Sequence, residues 1–417
     1  MTHEHPVFLP PPHGLGSLLR RASQVAVGTV VGQGLVLLAT PILARLYSPA
    51  EFGSLALLTT VCNIATAVAC LRYDLAIPSA PTPDSSGLLR VAIGIAGATA
   101  ILTALVLLAA GHLLGRIGLG MEDHPVLTGI CVFLVGTYQA TNAWLLARGR
   151  FGGVAWLRMA QGGGFCVLAL FPSVGLLWSL ALSYGGGLLG LRGLFHHRRS
   201  EAEAGWRETA IRYRDFPLLS LPGAVLDVCG YSVCVWVVAA AYGSGAAGNF
   251  SQVLRLTGAP LMLISLSVGQ ILLKQTADLA AHGAALRHLI HRILGFMAIL
   301  ATLGLLALWL VGPPLFSRLL GAGWNVDRRL IVSVGVAVFA RACVSPLSTV
   351  LITLRRFGHA MTWQALYFCS SLIVLPILAR RLAFESYLTY YGLHEAVFYG
   401  FYLMLIYRAM RLGRAGV

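Results

Sequence analysis

The sequence predicts an all-α integral membrane protein of about twelve transmembrane helices arranged as two sets of six. Three observations carry this. Of the 417 residues, 57% are hydrophobic and only 11% charged, which is more apolar surface than a soluble domain can enclose. Apolar runs of roughly 20 residues, the length that crosses a hydrocarbon core, recur along the whole chain. The basic residues fall singly or in short clusters between those runs, and mostly on one side of the membrane that the runs define.

Residues 1–21 open with His3, Glu4, His5 and Pro10-Pro11-Pro12. They are too polar and proline-rich for a signal peptide and read as a cytoplasmic tail. Spans follow at 22–46, 53–77, 88–111, 125–147, 152–171 and 173–194, which make an N-terminal six-helix unit over 22–195. Only Phe171-Pro172-Ser173 separates the fifth span from the sixth, so this is either a very tight turn or a kink in one segment. The longest polar connection, His196 to Asp215, makes 196–216 a cytoplasmic linker. Beyond it, spans at 217–241, 248–273, 290–311, 328–352, 360–379 and 383–407 form a C-terminal unit over 217–410, and 411–417 is a second cytoplasmic tail.

Orientation follows from the arginines. With the N-terminus inside, 21 of the 30 Lys and Arg residues are cytoplasmic, among them Arg72, Arg90, Arg148, Arg207, Arg212 and Arg214. Seven are on the other side (Arg45, Arg116, Arg318, Arg328, Arg329, Arg380, Arg381), and Arg255 and Arg341 lie inside spans. Cytoplasmic loops keep such an excess of positive charge, and an even span count returns the C-terminus to the cytoplasm. The formal charge of +15 is thus a matter of topology and does not indicate a nucleic-acid partner.

Several chemistries are excluded or disfavoured. The eight cysteines lie in apolar runs without CxxC or interleaved histidines, so no metal site or other cofactor is expected. The single lysine, Lys274, stands in Leu272-Leu273-Lys274-Gln275, so there is no phosphate-binding loop and no direct ATP hydrolysis. Glu122-Asp123-His124 is the only acidic cluster outside the spans, and it reads as a solvated loop, not as the paired carboxylates of glycosyl transfer.

The two halves share a short signature. Tyr47-Ser-Pro-Ala-Glu-Phe-Gly53 joins spans one and two, and Tyr242-Gly-Ser-Gly-Ala-Ala-Gly248 joins spans seven and eight, with Tyr and Gly at equal separation. A parallel duplication places a repeat at those corresponding positions.

The stretch Pro41-Ile-Leu-Ala-Arg45-Leu-Tyr47-Ser-Pro49-Ala-Glu51-Phe52-Gly53 resembles the first loop of the polysaccharide-transporter family, the Wzx-type oligosaccharide flippases of the multidrug/oligosaccharidyl-lipid/polysaccharide (MOP) exporter superfamily. Leu71-Arg72-Tyr73-Asp74-Leu-Ala-Ile77 is similar to that family's RYE-A-I segment, with Asp where Glu is usual. Gly248-Asn-Phe-Ser-Gln-Val-Leu-Arg255, followed by Pro260 and Gln270, resembles its eighth-helix pattern. The resemblance implies two six-helix bundles forming a V around a central cavity that alternates between inward-open and outward-open states. It also implies a polyprenyl-linked oligosaccharide as cargo. Lipid II flippases of the superfamily usually carry two more helices, for which this chain has no room.

Charges at membrane depth cost about 2.5–3.5 kcal/mol each and usually face a cavity or a partner. Those present are Asp227, Arg255, Arg341 and Glu395, with His394 beside Glu395. Arginine stays charged and presents a planar fork of donors suited to phosphate, so Arg255 and Arg341 are the leading candidates for holding a carrier diphosphate. The alternative is that Arg255 pairs with Asp227 and Arg341 with Glu395, as internal ion pairs that fix helix packing. Asp227, Glu395 and His394 are candidates for proton or sodium coupling. Arg72 either anchors the second span at the interface or captures pyrophosphate at the cytoplasmic mouth. Gln252 and Gln364, with Gln139, Asn142 and Gln270, either bind sugar hydroxyls or bridge helices.

The expectation is a flippase of the bacterial inner membrane, not an enzyme, that moves undecaprenyl-diphosphate-linked oligosaccharide units from the cytoplasmic to the periplasmic leaflet for O-antigen, capsule or exopolysaccharide assembly. Its partners would be the lipid-linked oligosaccharide, membrane lipids, a polysaccharide polymerase and a chain-length regulator. Outward movement of a negative charge across an inside-negative membrane gains about 2.3 kcal/mol per 100 mV, so the potential itself is one energy source. Three rivals stand: an organic-cation exporter of the same superfamily, a polytopic polymerase or ligase, and a scaffold of the synthesis complex.

Overall fold

In the computed structural model, residues 15–116, 124–191, 205–279, 283–353 and 357–412 are described, and every regular element among them is helical. The N-terminal half comprises α1 (Leu15–Leu46), α2 (Pro49–Val68), the single turn α3 (Tyr73–Ala76), α4 (Thr82–Arg116), α5 (Pro125–Ala147), α6 (Phe151–Ala169) and α7 (Gly175–Leu189). A short helix, α8 (Trp206–Arg212), lies in the linker. The C-terminal half comprises α9 (Asp215–Leu279), α10 (Gly283–Leu320), α11 (Arg328–Val344), the short α12 (Ser348–Thr353), α13 (Phe357–Arg381) and α14 (Phe384–Leu412). Met1–Gly14 of the expected tail, Glu122-Asp123, His196–Ala204 of the linker, Arg355-Arg356 and the final residues 413–417 lie outside the described residues.

Each of the twelve expected spans has a helix, and the departures have local causes. The second span breaks because Leu71 and Arg72 adopt left-handed backbone (φ 44° and 62°), so the chain restarts as α3 and a 3₁₀ turn at Ile77–Ser79. The tenth span breaks at Ser345-Pro346, where proline cannot donate to the helical ladder. The seventh and eighth spans run on without a loop: α9 bends at Gly243 (φ 86°, ψ 168°), a conformation that a Cβ would forbid. Residues 170–174 make the short turn between α6 and α7, which are two helices and not one kinked segment. At the start of α2, Ser48 and Glu51 form a reciprocal capping box, with Glu51 Oε2 accepting from the Ser48 N–H at 2.8 Å.

Eight helical stretches among the described residues are long and apolar enough to cross a membrane, and the longest, Ser220–Met262, contains the Gly243 bend and so supplies two crossings. Apolar side chains point outward along them. In α10, Phe296, Ile299, Leu303, Leu306, Leu310 and Leu315 are all exposed. Such a face is tolerable only against lipid. The protein is a multi-pass membrane protein.

The core shows how the halves meet. One apolar cluster takes in both of them: Leu43, Tyr47, Phe52, Leu55 and Leu57 of the first half pack with Val238, Phe250, Phe316, Leu320 and Trp324 of the second. A second cluster (Ile77, Leu88, Leu145, Leu157) draws on the N-terminal half and linker alone. A third (Leu272, Ile290, Leu351, Trp363, Tyr402) draws on the C-terminal half alone. Two six-helix bundles are therefore joined at the end that carries Tyr47 and part toward the end that carries Asp74, which is a V.

The joined end is fastened across the bundles. Trp324 donates its indole N–H to the Ala44 carbonyl at 2.8 Å and sets its ring edge-on to Phe52, with centroids 5.2 Å apart. Arg45 donates to the Arg318 carbonyl at 3.1 Å. At its centre are the two repeated loops. A Cβ on Gly53 would stand 2.0 Å from the Ser244 carbonyl oxygen, and one on Gly248 would stand 1.8 Å from that of Pro49. Each glycine thus abuts the residue four places before its counterpart. The tyrosines are equivalent too: Tyr47 donates to the Phe171 carbonyl beyond α6 (3.4 Å), and Tyr242 to the Leu382 and Ala379 carbonyls at the end of α13 (3.0 and 3.2 Å).

Candidate functional site

The structure gathers five of the sequence-derived candidates inside the C-terminal bundle, four of them ionisable and the fifth Gln364. Asp227 lies on the first arm of α9, Arg341 near the end of α11, and His394 and Glu395 on α14. Asp227 is exposed at its surface although it is mid-span, and Arg341 is half-buried. Asp227 lies within electrostatic reach of Arg341, and Arg341 within that of Glu395. The guanidinium of Arg341 rests 4.0 Å over the ring of Tyr231, one turn beyond Asp227, as a cation–π contact. Gln364 of α13 is half-buried, and its amide oxygen would stand 3.4 Å from a Cβ on Gly223, one turn before Asp227.

Glu395 is differently placed. It is buried (3% exposed), accepts from the Tyr367 hydroxyl at 2.8 Å, and has His394 Nδ1 3.4 Å away. His394 Nε2 shares a 3.0 Å hydrogen bond with Ser370. Behind Tyr367, Trp363 stacks between Tyr367 and Tyr402 at centroid distances of 5.0 and 4.3 Å. Trp363 also donates to the Phe398 carbonyl at 2.9 Å. This aromatic wall is buried and holds the acid in place.

The internal ion pairs raised as the alternative do not form among the described residues. Among the described residues, neither Arg255 nor Arg341 has a carboxylate within salt-bridge distance. The pairing fails geometrically: Glu395 is occupied by Tyr367 and turned toward His394, while Arg255 lies on the other arm of α9 from Asp227, past the Gly243 bend. Arg255 is half-buried and, seven residues on from Gly248, shares the helix side that Gly248 sets against α2. Gln252, one turn nearer the joined end, is 1% exposed with neither its amide oxygen nor its nitrogen bonded.

Arg72 is not part of this group. It belongs to the N-terminal bundle at the Asp74 end, in left-handed backbone, with its Nε buried and without a partner. Next to it, Asp74 is buried and accepts from Gln139 at 3.0 Å, so Gln139 bridges helices. The Asn142 amide oxygen is buried and unbonded, and the Gln270 side chain lies outside the described residues.

Sequence reasoning overlooked the tyrosines and tryptophan around the acids. The signal was present: Asp227/Tyr231 and Trp363/Tyr367 are four apart, and Glu395, Tyr399 and Tyr402 fall at i, i+4, i+7. Each set shares a helix face.

Outside the spans, the linker is strapped to the N-terminal bundle. Asp84 at the start of α4 accepts from Arg212 (2.9 Å) and from the Tyr213 hydroxyl (3.1 Å), and Tyr73 donates to the Ala210 carbonyl (3.0 Å). Burial and the neighbouring Asp84 carboxylate push the Tyr213 phenol up.

No family model and no curated protein sequence matches the chain. Solved structures do. An inward-facing multidrug-resistance MATE family transporter of the MOP superfamily superposes with a TM-score of 0.73 at 13% identity, covering 95% of this chain and 99% of that one. The lipid II flippase MurJ in an inward closed conformation gives 0.64 at 12% identity (94% and 91% covered). An outward-facing MATE transporter gives 0.58 at 12% identity (96% and 97% covered). The fold is that of the MOP-superfamily transporters, and each of these superpositions runs over nearly the whole chain.

Proposed function

We propose that this chain is a flippase that carries undecaprenyl-diphosphate-linked oligosaccharide units from the cytoplasmic to the periplasmic leaflet of a bacterial inner membrane for surface polysaccharide assembly. The observation that carries the reading is the pair of half-buried, mid-span arginines, Arg255 and Arg341, with no carboxylate in salt-bridge range among the described residues. An arginine at that depth without a counter-ion is costly, and an anionic headgroup entering the V supplies one. With the N-terminus inside, the Asp74 end is cytoplasmic and the open mouth receives cargo from the leaflet where it is made. The fold supports transport over polymerase or ligase chemistry.

A second reading, export of organic cations, is favoured by one observation: Asp227 is the exposed carboxylate of the group. Reconstitution in liposomes separates the two. Under an imposed potential, a fluorescent undecaprenyl-diphosphate oligosaccharide should change leaflets in a protein-dependent manner. Export of organic cations without lipid movement would assign the chain to the second reading.

A further inference from the structure

The second arm of α9 has an unusual face. Gly248, Gln252 and Arg255 fall at i, i+4, i+7 and so line one side of the helix. Gly248 sets that side against α2, where Pro49 and Gly53 meet it. One turn deeper, Gln252 is 1% exposed and both of its amide atoms are buried without a partner. Beside it Asn249, 8% exposed, leaves its own amide oxygen buried and unbonded. An apolar seam gains nothing from such groups, since a buried amide that forfeits its hydrogen bonds to water disfavours the state that buries it.

Parting of the bundles at the Tyr47 end would give these amides hydrogen-bonding partners that the closed seam withholds. The amides would then stand on the wall of the newly opened cleft, about one turn from Arg255, which is half-buried in the closed seam. We infer that Asn249 and Gln252 form a concealed binding face, used only in the state open at the Tyr47 end, that takes the hydroxyl groups of the sugar headgroup. The identity of the ligand rests on the flippase reading; the concealment and its cost to the closed end do not. Amide side chains suit the role because each offers donors and an acceptor, matching hydroxyls that both give and accept hydrogen bonds.

Two measurements test this. Hydrogen exchange in lipid nanodiscs, without substrate, reads opening of the seam through peptides spanning 49–58 and 244–256. Gln252→Leu relieves the buried amide, so exchange there should slow by about tenfold, and the near-isosteric Gln252→Met should behave alike. Unchanged or faster exchange in both variants would overturn the concealment. The second measurement uses Gly53→Ala, whose added methyl wedges the Tyr47 end apart. Binding of the fluorescent undecaprenyl-diphosphate oligosaccharide to Gly53→Ala should weaken about tenfold when Gln252→Leu is added, and by a clearly smaller factor when Gln252→Leu is made in the parent, which is joined at that end. Equal weakening in both backgrounds, or in neither, would overturn the sugar contact. Failure of the lipid to bind either form, with slowed exchange in Gln252→Leu, would sink the flippase reading and the sugar ligand but leave the concealed face standing.

Discussion

Gly53 on α2 and Gly248 on α9 each stand where a single methyl group would strike the backbone of the opposite bundle, at 2.0 Å from Ser244 and 1.8 Å from Pro49. No side chain can rotate to relieve a clash with a carbonyl oxygen. Gly53→Ala and Gly248→Ala should therefore each shift the protein toward the state open at the Tyr47 end, with little effect on folding within a bundle. Exchange of the 49–58 amides should quicken by tenfold or more, about 1.4 kcal/mol. Equal protection in variant and parent would show that the seam absorbs the methyl group.

Neutralising the uncompensated arginines tests the anionic cargo. Charge-assisted hydrogen bonds contribute about 1.5–3 kcal/mol, so Arg341→Gln and Arg255→Gln should each slow lipid translocation by about tenfold to a hundredfold. Thermal stability should hold or rise in Arg255→Gln, since among the described residues neither arginine has an ion pair to lose, and fall slightly in Arg341→Gln, which gives up the contact with the Tyr231 ring. A marked fall in melting temperature with unchanged flipping would make them packing residues.

The Glu395 network predicts the opposite pattern. Tyr367→Phe takes away the hydroxyl that the buried carboxylate accepts at 2.8 Å. An unsatisfied buried group costs about 1–3 kcal/mol, and the melting temperature of the purified protein should drop accordingly. Glu395→Gln, which carries no charge to bury, should lose less. Equal losses in the two variants would mean that charge is irrelevant at this position.

Linker docking should depend on alkaline pH. The Tyr213 phenol titrates higher when docked than when free, so the protonated form favours the docked state. That contribution is complete below the free phenol's value near pH 10 and fades as pH rises through the docked one. Proteolysis of the linker should therefore quicken above about pH 10 in the parent and show no such step in Tyr213→Phe. The same step in both would assign it to another group.

Much of the architecture was legible because the bilayer imposes it. Twelve crossings follow from run length, and the repeat at Tyr47 and Tyr242 was visible as a duplication, although only the structure shows that its two copies touch. The breaks at Leu71-Arg72 and Gly243 were less visible, since left-handed backbone at Leu and Arg has no residue signature and a glycine between apolar runs has many uses. The candidate charges were legible one by one, and their pairing was not. Whether Arg255 faces Asp227 depends on the bend at Gly243, a single torsion that hydropathy does not report. Gln252 was visible as a polar residue in a span, but only packing shows that its amide has no partner.

The reciprocal meeting of the two loops also bears on descent. When residue i of one copy touches residue j of the other and j touches i in return, the contact is that of a two-fold dimer. A half-length ancestor pairing through this surface would have needed every substitution to suit both sides at once. Joining the copies in one polypeptide lifts that demand, and the result is visible where Pro49 stands in one loop and Ser244 in the other. The glycines, which meet backbone on both sides, are the same residue in the two loops.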